Sequence, residues 1–441
     1  MKRSAWPSAV EGTLQAPPSK SMAQRAIALA SMANGCSVVA GAGQAADVLA
    51  AIGVCRTLGA EIRQEEDRLV IRGGLGKPSG ELFCGESGLG IRIFTPLAAT
   101  LDAETTLTAT GSLSMRPMHH LAEALEAVGV QCQTTGGFPP IRVKGPMRGG
   151  TAEMDGSFSS QILSGLLMAA PYAQHDTHIR VRGLVSRPYV DMSMEIMRHF
   201  GVEVVRGKGP DDGGEAPKGK HADAYLDFFV RAGQSYQPCF YQVEGDWSGA
   251  APILVAGAVA GRVRVEGLRM DSLQADRQIL DALRLAGASV VTGQGWVEVA
   301  QPATSSGSPD RPMKPSLQAF VFDATHCPDL FPPLTALAAR CAGVSRISGT
   351  HRLAAKESHR TNSLLDLFGR LGIRIWEEGD VLCVEGGQPH AATVSAHSDH
   401  RIAMAAAIAA LSASGPVNIE GAECVSKSYP LFFDDLDKIR K

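Results

Sequence analysis

Residues 246–267, DWSGAAPILVAGAVAGRVRVEG, decide the fold. An acidic residue opens the stretch where a helix would start, Gly249–Gly261 is apolar on nearly every side, and a short alternating strand follows and closes on Gly267. A helix without a polar face must be surrounded by protein. The same phrase occurs six times. Its closing glycines are Gly41, Gly111, Gly183, Gly267, Gly349 and Gly421, at intervals of about 70 to 84 residues. Its opening residues are Ser19-Lys20-Ser21, Glu86-Ser87, Ser159-Ser160-Gln161, Asp246-Trp247-Ser248, Pro328-Asp329 and Asp399-His400-Arg401. Self-similarity at a fixed period makes the repeat the structural unit. Helix starts present unpaired N–H groups and a positive dipole end, so several of them together form a trap for a small anion.

Each repeat has a second half: an amphipathic helix, a glycine and a strand, as in Leu58-Gly59-Ala60-Glu61-Ile62 and Phe200-Gly201-Val202-Glu203-Val204. These glycines read as helix C-caps. The sixth copy departs from the pattern, because the chain ends in its second helix, Pro430 to Lys441. Three units per domain predict an α/β (α+β) architecture with two inside-out barrels, buried helices inside and sheets outside. The expected crossings lie near Pro17-Pro18 and Gln237-Pro238. They give an inserted domain 19–238 and a discontinuous domain of 1–18 with 239–441. Gly207–His221 and Gln301–Ser316 read as surface excursions.

Composition narrows the class. A chain of 441 residues, 44% hydrophobic, with net charge −3 reads as soluble and globular, without the basic excess that grips nucleic acid. The nine cysteines form no CxxC or Cys/His cluster, which favours a reducing compartment and argues against structural zinc. Lys2 and Arg3 precede no apolar core, so no signal peptide is read, and no stretch is long enough to cross a bilayer. The expectation is a cytoplasmic monomer that touches neither membrane nor nucleic acid and needs no metal or cofactor.

Ten phrases resemble the 3-phosphoshikimate 1-carboxyvinyltransferases, a branch of the enolpyruvyl transferase family. They are Pro18-Ser19-Lys20-Ser21 with Arg25, Gly85 to Arg92 (GESGLGIR), Arg116-Pro117, Gly156 to Gln161 (GSFSSQ), Ser186-Arg187-Pro188-Tyr189, Val243-Glu244-Gly245-Asp246, Pro328-Asp329, Lys356-Glu357 with Arg360, Asp399-His400-Arg401, and Lys427. They stand in family order over nearly the whole length. The resemblance implies two domains of three βαβαββ units that close over a cleft, with the buried helices pointing their N-termini into it. It implies transfer of the enolpyruvyl group of phosphoenolpyruvate to the 5-hydroxyl of shikimate 3-phosphate, with release of phosphate, by addition and elimination through a tetrahedral intermediate in chorismate and aromatic amino acid biosynthesis.

The implied roles follow residue by residue. Lys20 lies between the substrates and contacts the phosphoenolpyruvate phosphate. Ser21, Arg25, Ser159, Ser160, Gln161, Ser186, Tyr189, Asp329 and Lys356 hold shikimate 3-phosphate, Gln161 also facing phosphoenolpyruvate. Arg116, Arg360, Arg401 and Lys427 clamp the carboxylate and phosphate of phosphoenolpyruvate, close to Gly88, while His400 orients its neighbours. Asp329 is the candidate base for the 5-hydroxyl, and Glu357 moves protons at the carbon with Lys427 as a possible participant. The reaction itself demands this kind of set. Two phosphorylated carboxylates repel each other unless several cations share the site, and protons must be moved among those cations.

Several of these residues have plainer readings. Ser159-Ser160 and Asp329 could be helix caps, Arg116-Pro117 and Arg187-Pro188 helix starts with proline first, and Lys356-Glu357 an exposed pair. Departures from the family pattern are Glu86 for Asn, the short segment before Arg116 (GSLSMRP), Leu89, Ile93, Arg352 near a substrate-contacting Asn, and His359 for Asp; Glu86, Arg352 and His359 stay outside the site set. Gly88 leaves room for glyphosate, which is expected to compete with phosphoenolpyruvate. Two alternatives are weighed. A transferase acting on UDP-N-acetylglucosamine would carry a reactive Cys or Asp before Arg116, where Gly111-Ser112-Leu113-Ser114-Met115 stands. A non-catalytic anion sensor would have little reason to keep Asp329, Glu357 and Lys427.

Overall fold

The computed structural model describes residues 1–207, 225–302, 317–354 and 356–441. Both surface excursions read from the sequence lie for the most part outside the described residues. The chain divides into two compact units, Met1–Ser19 with Glu244–Lys441, and Lys20–Val243.

Inside each unit the apolar helices are buried, as their lack of a polar face requires. In the Lys20–Val243 unit they are Lys20–Met32, Gly88–Ala98 and Ser160–Ala169; Gly88–Ala98 is buried at every residue. In the other unit they are Trp247–Ala260, Phe331–Ala338 and His400–Ala410. Trp247 is fully buried at its helix start and satisfies its indole N–H on the Arg269 carbonyl at 3.1 Å. Three sheets accompany each trio of helices. Their strands alternate buried and exposed residues, so one face of each sheet covers the core.

One repeat shows how the unit is wound. Strand Gly150–Asp155 leads through the Ser160–Ala169 helix to the parallel strand Thr177–Arg182. The polar-faced helix Arg187–His199 follows, and Val205–Arg206 and Tyr225–Val230 then extend the sheet by antiparallel pairing. The closing glycines all take positive φ, from 54° at Gly111 to 103° at Gly349, which a side chain would oppose; that requirement makes them visible as a repeat.

The discontinuity has a concrete cause in strand exchange. Val10–Gln15 pairs parallel with Gly261–Glu266, the strand after the fourth buried helix. Phe240–Gln242, which immediately precedes that helix, instead pairs parallel with Cys36–Ala40 of the first repeat. The second crossing therefore falls after Val243, about five residues beyond the Gln237-Pro238 expected from sequence. Ser19 N–H to the Glu244 carbonyl (2.8 Å) and Asp246 N–H to the Pro17 carbonyl (2.7 Å) hold the two connecting segments side by side. The sixth repeat is completed by the other end of the chain. Lys2–Ala5 pairs antiparallel with Val417–Glu420, and Arg3 donates to Asp437 on the last helix, Phe432–Ile439, at 2.7 Å.

Close helix packing rests on one glycine. A Cβ at Gly165 would stand 2.2 Å from the Arg92 carbonyl oxygen and 3.0 Å from Ile93 Cα. Gly165→Ala is therefore expected to lower stability by about 1–3 kcal/mol, read as a lower urea midpoint; an unchanged midpoint would mean that the Gly88–Ala98 and Ser160–Ala169 helices do not pack this closely.

Candidate active site

The Lys20–Val243 unit builds its polar groups onto the starts of its three buried helices. Ser87 caps the second helix, accepting from Gly90 N–H at 3.0 Å, while its own hydroxyl donates to Gln24 Oε1 on the first helix at 2.6 Å. Ser159 caps the third, accepting from Gln161 N–H at 3.2 Å, and Ser160 is buried beside it. Lys20 Nζ is bound to Asp47 at 2.7 Å, both largely buried, and Asp47 stands in the first turn of Ala46–Thr57.

Arg25 is wholly buried. It donates from Nε to Ser193 Oγ (2.8 Å), from Nη1 to the Ser21 carbonyl (2.9 Å) and from Nη2 to the Tyr189 carbonyl (3.4 Å), and so braces two residues of the candidate site against each other. Burial lowers its guanidinium to about 10, still cationic at neutral pH. Ser186 opens the next helix at φ 52°, a left-handed conformation rare outside glycine. Arg187-Pro188 does start that helix. Arg116-Pro117 does not, because the helix there begins at His119.

Gly88 and Gln161 are joined by a residue that stood outside the expected site set. Arg92 Nη1 donates to the Gly88 carbonyl (3.1 Å) and to Gln161 Oε1 (3.0 Å), and a Cβ at Gly88 would stand 2.6 Å from Arg116 Nη1. A methyl at Gly88 would thus crowd a guanidinium first. The signal for Arg92 was present, since it ends the quoted phrase Gly85 to Arg92 four residues from Gly88 on one helix face.

The second unit carries the carboxylates. Asp329 lies in the short turn Pro328–Leu330 before the Phe331–Ala338 helix, and its side chain caps nothing. Its Oδ1 accepts from Arg360 Nη1 (2.8 Å) and Lys356 Nζ (3.3 Å), and its Oδ2 from Arg401 Nη2 (2.9 Å). Arg360, with no exposed side-chain surface, also donates from Nη2 to Glu357 Oε2 (2.6 Å) and from Nε to Asp399 Oδ2 (2.9 Å). Lys356-Glu357 is therefore no exposed pair. Asp399 caps the His400–Ala410 helix through Arg401 N–H at 3.0 Å. Arg401 reaches Ser248 Oγ at 2.7 Å and touches its neighbour His400 through Nε2. Lys427 Nζ donates to the Ser398 carbonyl at 2.9 Å, and Ser398 and His397 hold left-handed φ values of 55° and 49° just before Asp399. Two non-glycine residues in that region cost about 1–3 kcal/mol each and mark a constrained turn.

The charges set the titration. Burial pushes the Asp329 carboxyl upward, but Arg401, Lys356 and Arg360 outweigh it and hold it well below the usual carboxylate range. Burial lowers the Lys356 ammonium, partly opposed by Asp329. Burial would also lower Arg360 and Arg401; Asp399, Glu357 and Asp329 reverse this at Arg360, and Asp329 leads the reversal at Arg401, so both stay above the usual range. Arg352, outside the expected set, donates to the Thr325 carbonyl at 3.3 Å, and burial lowers its guanidinium below the ordinary value, partly opposed by Asp329. His359 is the exposed residue before the Arg360–Arg370 helix. Among the described residues no group of three or more His, Cys, Asp or Glu is arranged to hold a metal ion, and no helix is long and apolar enough to cross a membrane.

A family model described as EPSP synthase (3-phosphoshikimate 1-carboxyvinyltransferase) matches residues 5–436. The chain belongs to the EPSP synthase family. Curated relatives named 3-phosphoshikimate 1-carboxyvinyltransferase include one from Methanocorpusculum labreanum, 36% identical over 98% of this chain and 97% of its own length, and one from Thermococcus kodakarensis, 37% identical over 98% of each. Among solved structures, EPSP synthase from Acinetobacter baumannii superposes with a TM-score of 0.77 at 26% identity, covering 100% of this chain and 98% of that one. The enolpyruvyl transferase NikO from Streptomyces tendae, at 17% identity and a TM-score of 0.76, shares the fold.

Because its folded-state pKa is depressed, ionised Asp329 contributes stability that is complete above its unfolded value of about 3.9 and is lost as pH falls through the lower folded value. Asp329→Asn is expected to be about 3 kcal/mol less stable at neutral pH, with that gap constant down to about pH 5 and closing below pH 4. Urea unfolding of both proteins from pH 7 to pH 3 measures it; a gap that stays constant to pH 3, or none at pH 7, would contradict the assigned ion pairs.

Proposed function

We propose that this chain transfers the enolpyruvyl group of phosphoenolpyruvate to the 5-hydroxyl of shikimate 3-phosphate, in aromatic biosynthesis, through a tetrahedral intermediate. The observation that carries the residue-level reading is the Asp329 carboxylate, fastened by three cations next to a second carboxylate, Glu357, on the same arginine. Addition joins the 5-oxygen to carbon 2 of phosphoenolpyruvate while carbon 3 gains a proton. Elimination removes a proton from the new methyl group and expels phosphate from carbon 2, restoring the double bond. One group must take the hydroxyl proton, and one must give and later recover the carbon proton. Asp329 fits the first role and Glu357 the second, with Lys427, bonded to the Ser398 carbonyl next to Asp399, as a partner.

The cations then have two functions. Lys356 and Arg401, each slightly exposed, are the groups that an incoming phosphate or carboxylate can draw away from Asp329, whereas Arg360 is enclosed by its carboxylates. Loss of even one cation contact raises the basicity of Asp329, so the base becomes competent only once substrate is bound. Lys20, Ser21, Arg25, Ser159, Ser160, Gln161, Ser186 and Tyr189 serve shikimate 3-phosphate in this reading, Arg25 as a brace. Gly88, Arg116 and His400 serve phosphoenolpyruvate with Arg360, Arg401 and Lys427. We assign the reaction to a cytoplasmic monomer. Fork-shaped guanidinium groups suit both anions, since each offers two parallel donors.

Phosphate release from purified protein tests the reading. Release that requires both substrates, with the enolpyruvyl ether found by mass and with glyphosate competing against phosphoenolpyruvate, is the expected result. Binding of shikimate 3-phosphate without release would favour an anion sensor, and release supported only by UDP-N-acetylglucosamine would move the acceptor.

A further inference from the structure

We infer that Glu86 is a positioning residue for the transfer: its carboxylate fastens the turn Gly111–Met115 and so holds Arg116 against Gly88. The inference rests on the assignment of Arg116 to phosphoenolpyruvate.

The geometry runs along one edge of a sheet. Strands Leu82–Phe83 and Glu104–Thr108 are parallel, and their pairing continues beyond the strands through Cys84 N–H to the Thr108 carbonyl and Thr110 N–H to the Gly85 carbonyl, each 2.9 Å. At the next step a side chain takes over from the backbone. Glu86 Oε2 accepts from Ser112 N–H at 3.0 Å and from Ser112 Oγ at 3.2 Å. The carboxyl group lies flat against Gly111, where a Cβ would stand 2.3 Å from Glu86 Cδ. Gly111 itself is left-handed, at φ 54°.

Within the turn, Ser114 Oγ donates to the Ala109 carbonyl at 3.4 Å. Leu113 is the turn's one buried side chain, while Met115 is 75% exposed. Arg116 follows directly, its N–H bonded to the Leu113 carbonyl at 3.1 Å, and its Nη1 lies where a Cβ on Gly88 would collide. Leu113 fixes the middle of the turn, and Glu86 fixes its start. Without the second anchor the turn can pivot on Leu113, and the guanidinium at its end swings with it. Both bonds from Ser112 end on a single oxygen, so an amide carbonyl at the same place can accept both; the geometry of the oxygen, more than its charge, is what the turn needs.

Steady-state kinetics with each substrate varied in turn test this. Glu86→Ala is expected to raise KM for phosphoenolpyruvate about five- to tenfold, as for the loss of two hydrogen bonds to a charged group. It should leave kcat and KM for shikimate 3-phosphate within about twofold, the pattern of lost binding that does not touch the chemical step. Glu86→Gln should keep KM for phosphoenolpyruvate within about twofold of the unsubstituted enzyme. In an Arg116→Ala background, Glu86→Ala should add nothing further to phosphoenolpyruvate binding. If Glu86→Ala does not fold, Ser112→Ala removes one of the two donors and should raise the same KM about threefold. The proposal is overturned if KM rises equally for both substrates, if Glu86→Gln is as impaired as Glu86→Ala, or if the Glu86 and Arg116 effects multiply. Failure of the unsubstituted protein to turn over would instead overturn the assigned reaction, so the two failures are distinguishable.

Discussion

The guanidinium of Arg360, closed off from solvent and shared by Asp329, Glu357 and Asp399, is the constraint on which the rest of the second unit's chemistry depends. Three carboxylates cannot be gathered in partly buried surroundings without counter-charge, and a planar fork with five donors is the side chain that can serve all three at once. Each partner comes from a different segment: a turn before a buried helix, the loop before the Arg360–Arg370 helix, and the cap of His400–Ala410. The arginine therefore fixes those segments in register as well as setting charge. Arg401 and Lys356 are less enclosed than Arg360, whose side chain has no exposed surface.

The repeat was legible because two strict physical requirements leave marks in sequence. A helix surrounded by protein has no polar face, and a left-handed turn selects glycine, so six helices and six glycines announce themselves. Pairings across the chain leave no such mark. Nothing local in Lys2–Ala5 identifies Val417–Glu420 as its partner, and the short strand Phe240–Gln242 follows Pro238, where a linker was the natural reading. Strand exchange between the first and fourth repeats is a fact of tertiary pairing, and it moved the second crossing to Val243.

At the candidate site, residue types were legible and their partners were not. Ser159 caps its helix and Asp329 does not, although both precede apolar helices, because Asp329 is held by three cations while Ser159 accepts from the Gln161 N–H. Arg92 stood in a quoted phrase without an assigned role, and Asp47 entered only with the structure. Glu86 is the clearest case: in sequence it stood only as a departure, Glu for Asn, whereas its geometry turns the carboxylate toward Ser112.

Turnover of Asp329→Asn, followed together with its equilibrium binding of shikimate 3-phosphate, tests most directly whether this carboxylate is the base. The account predicts binding within a few-fold of the unsubstituted protein and turnover lower by about 10²–10⁴, the range for removal of a general base. Turnover equal to that of the unsubstituted protein would contradict it, and would leave the Arg360 cluster as a structural ion-pair network alone.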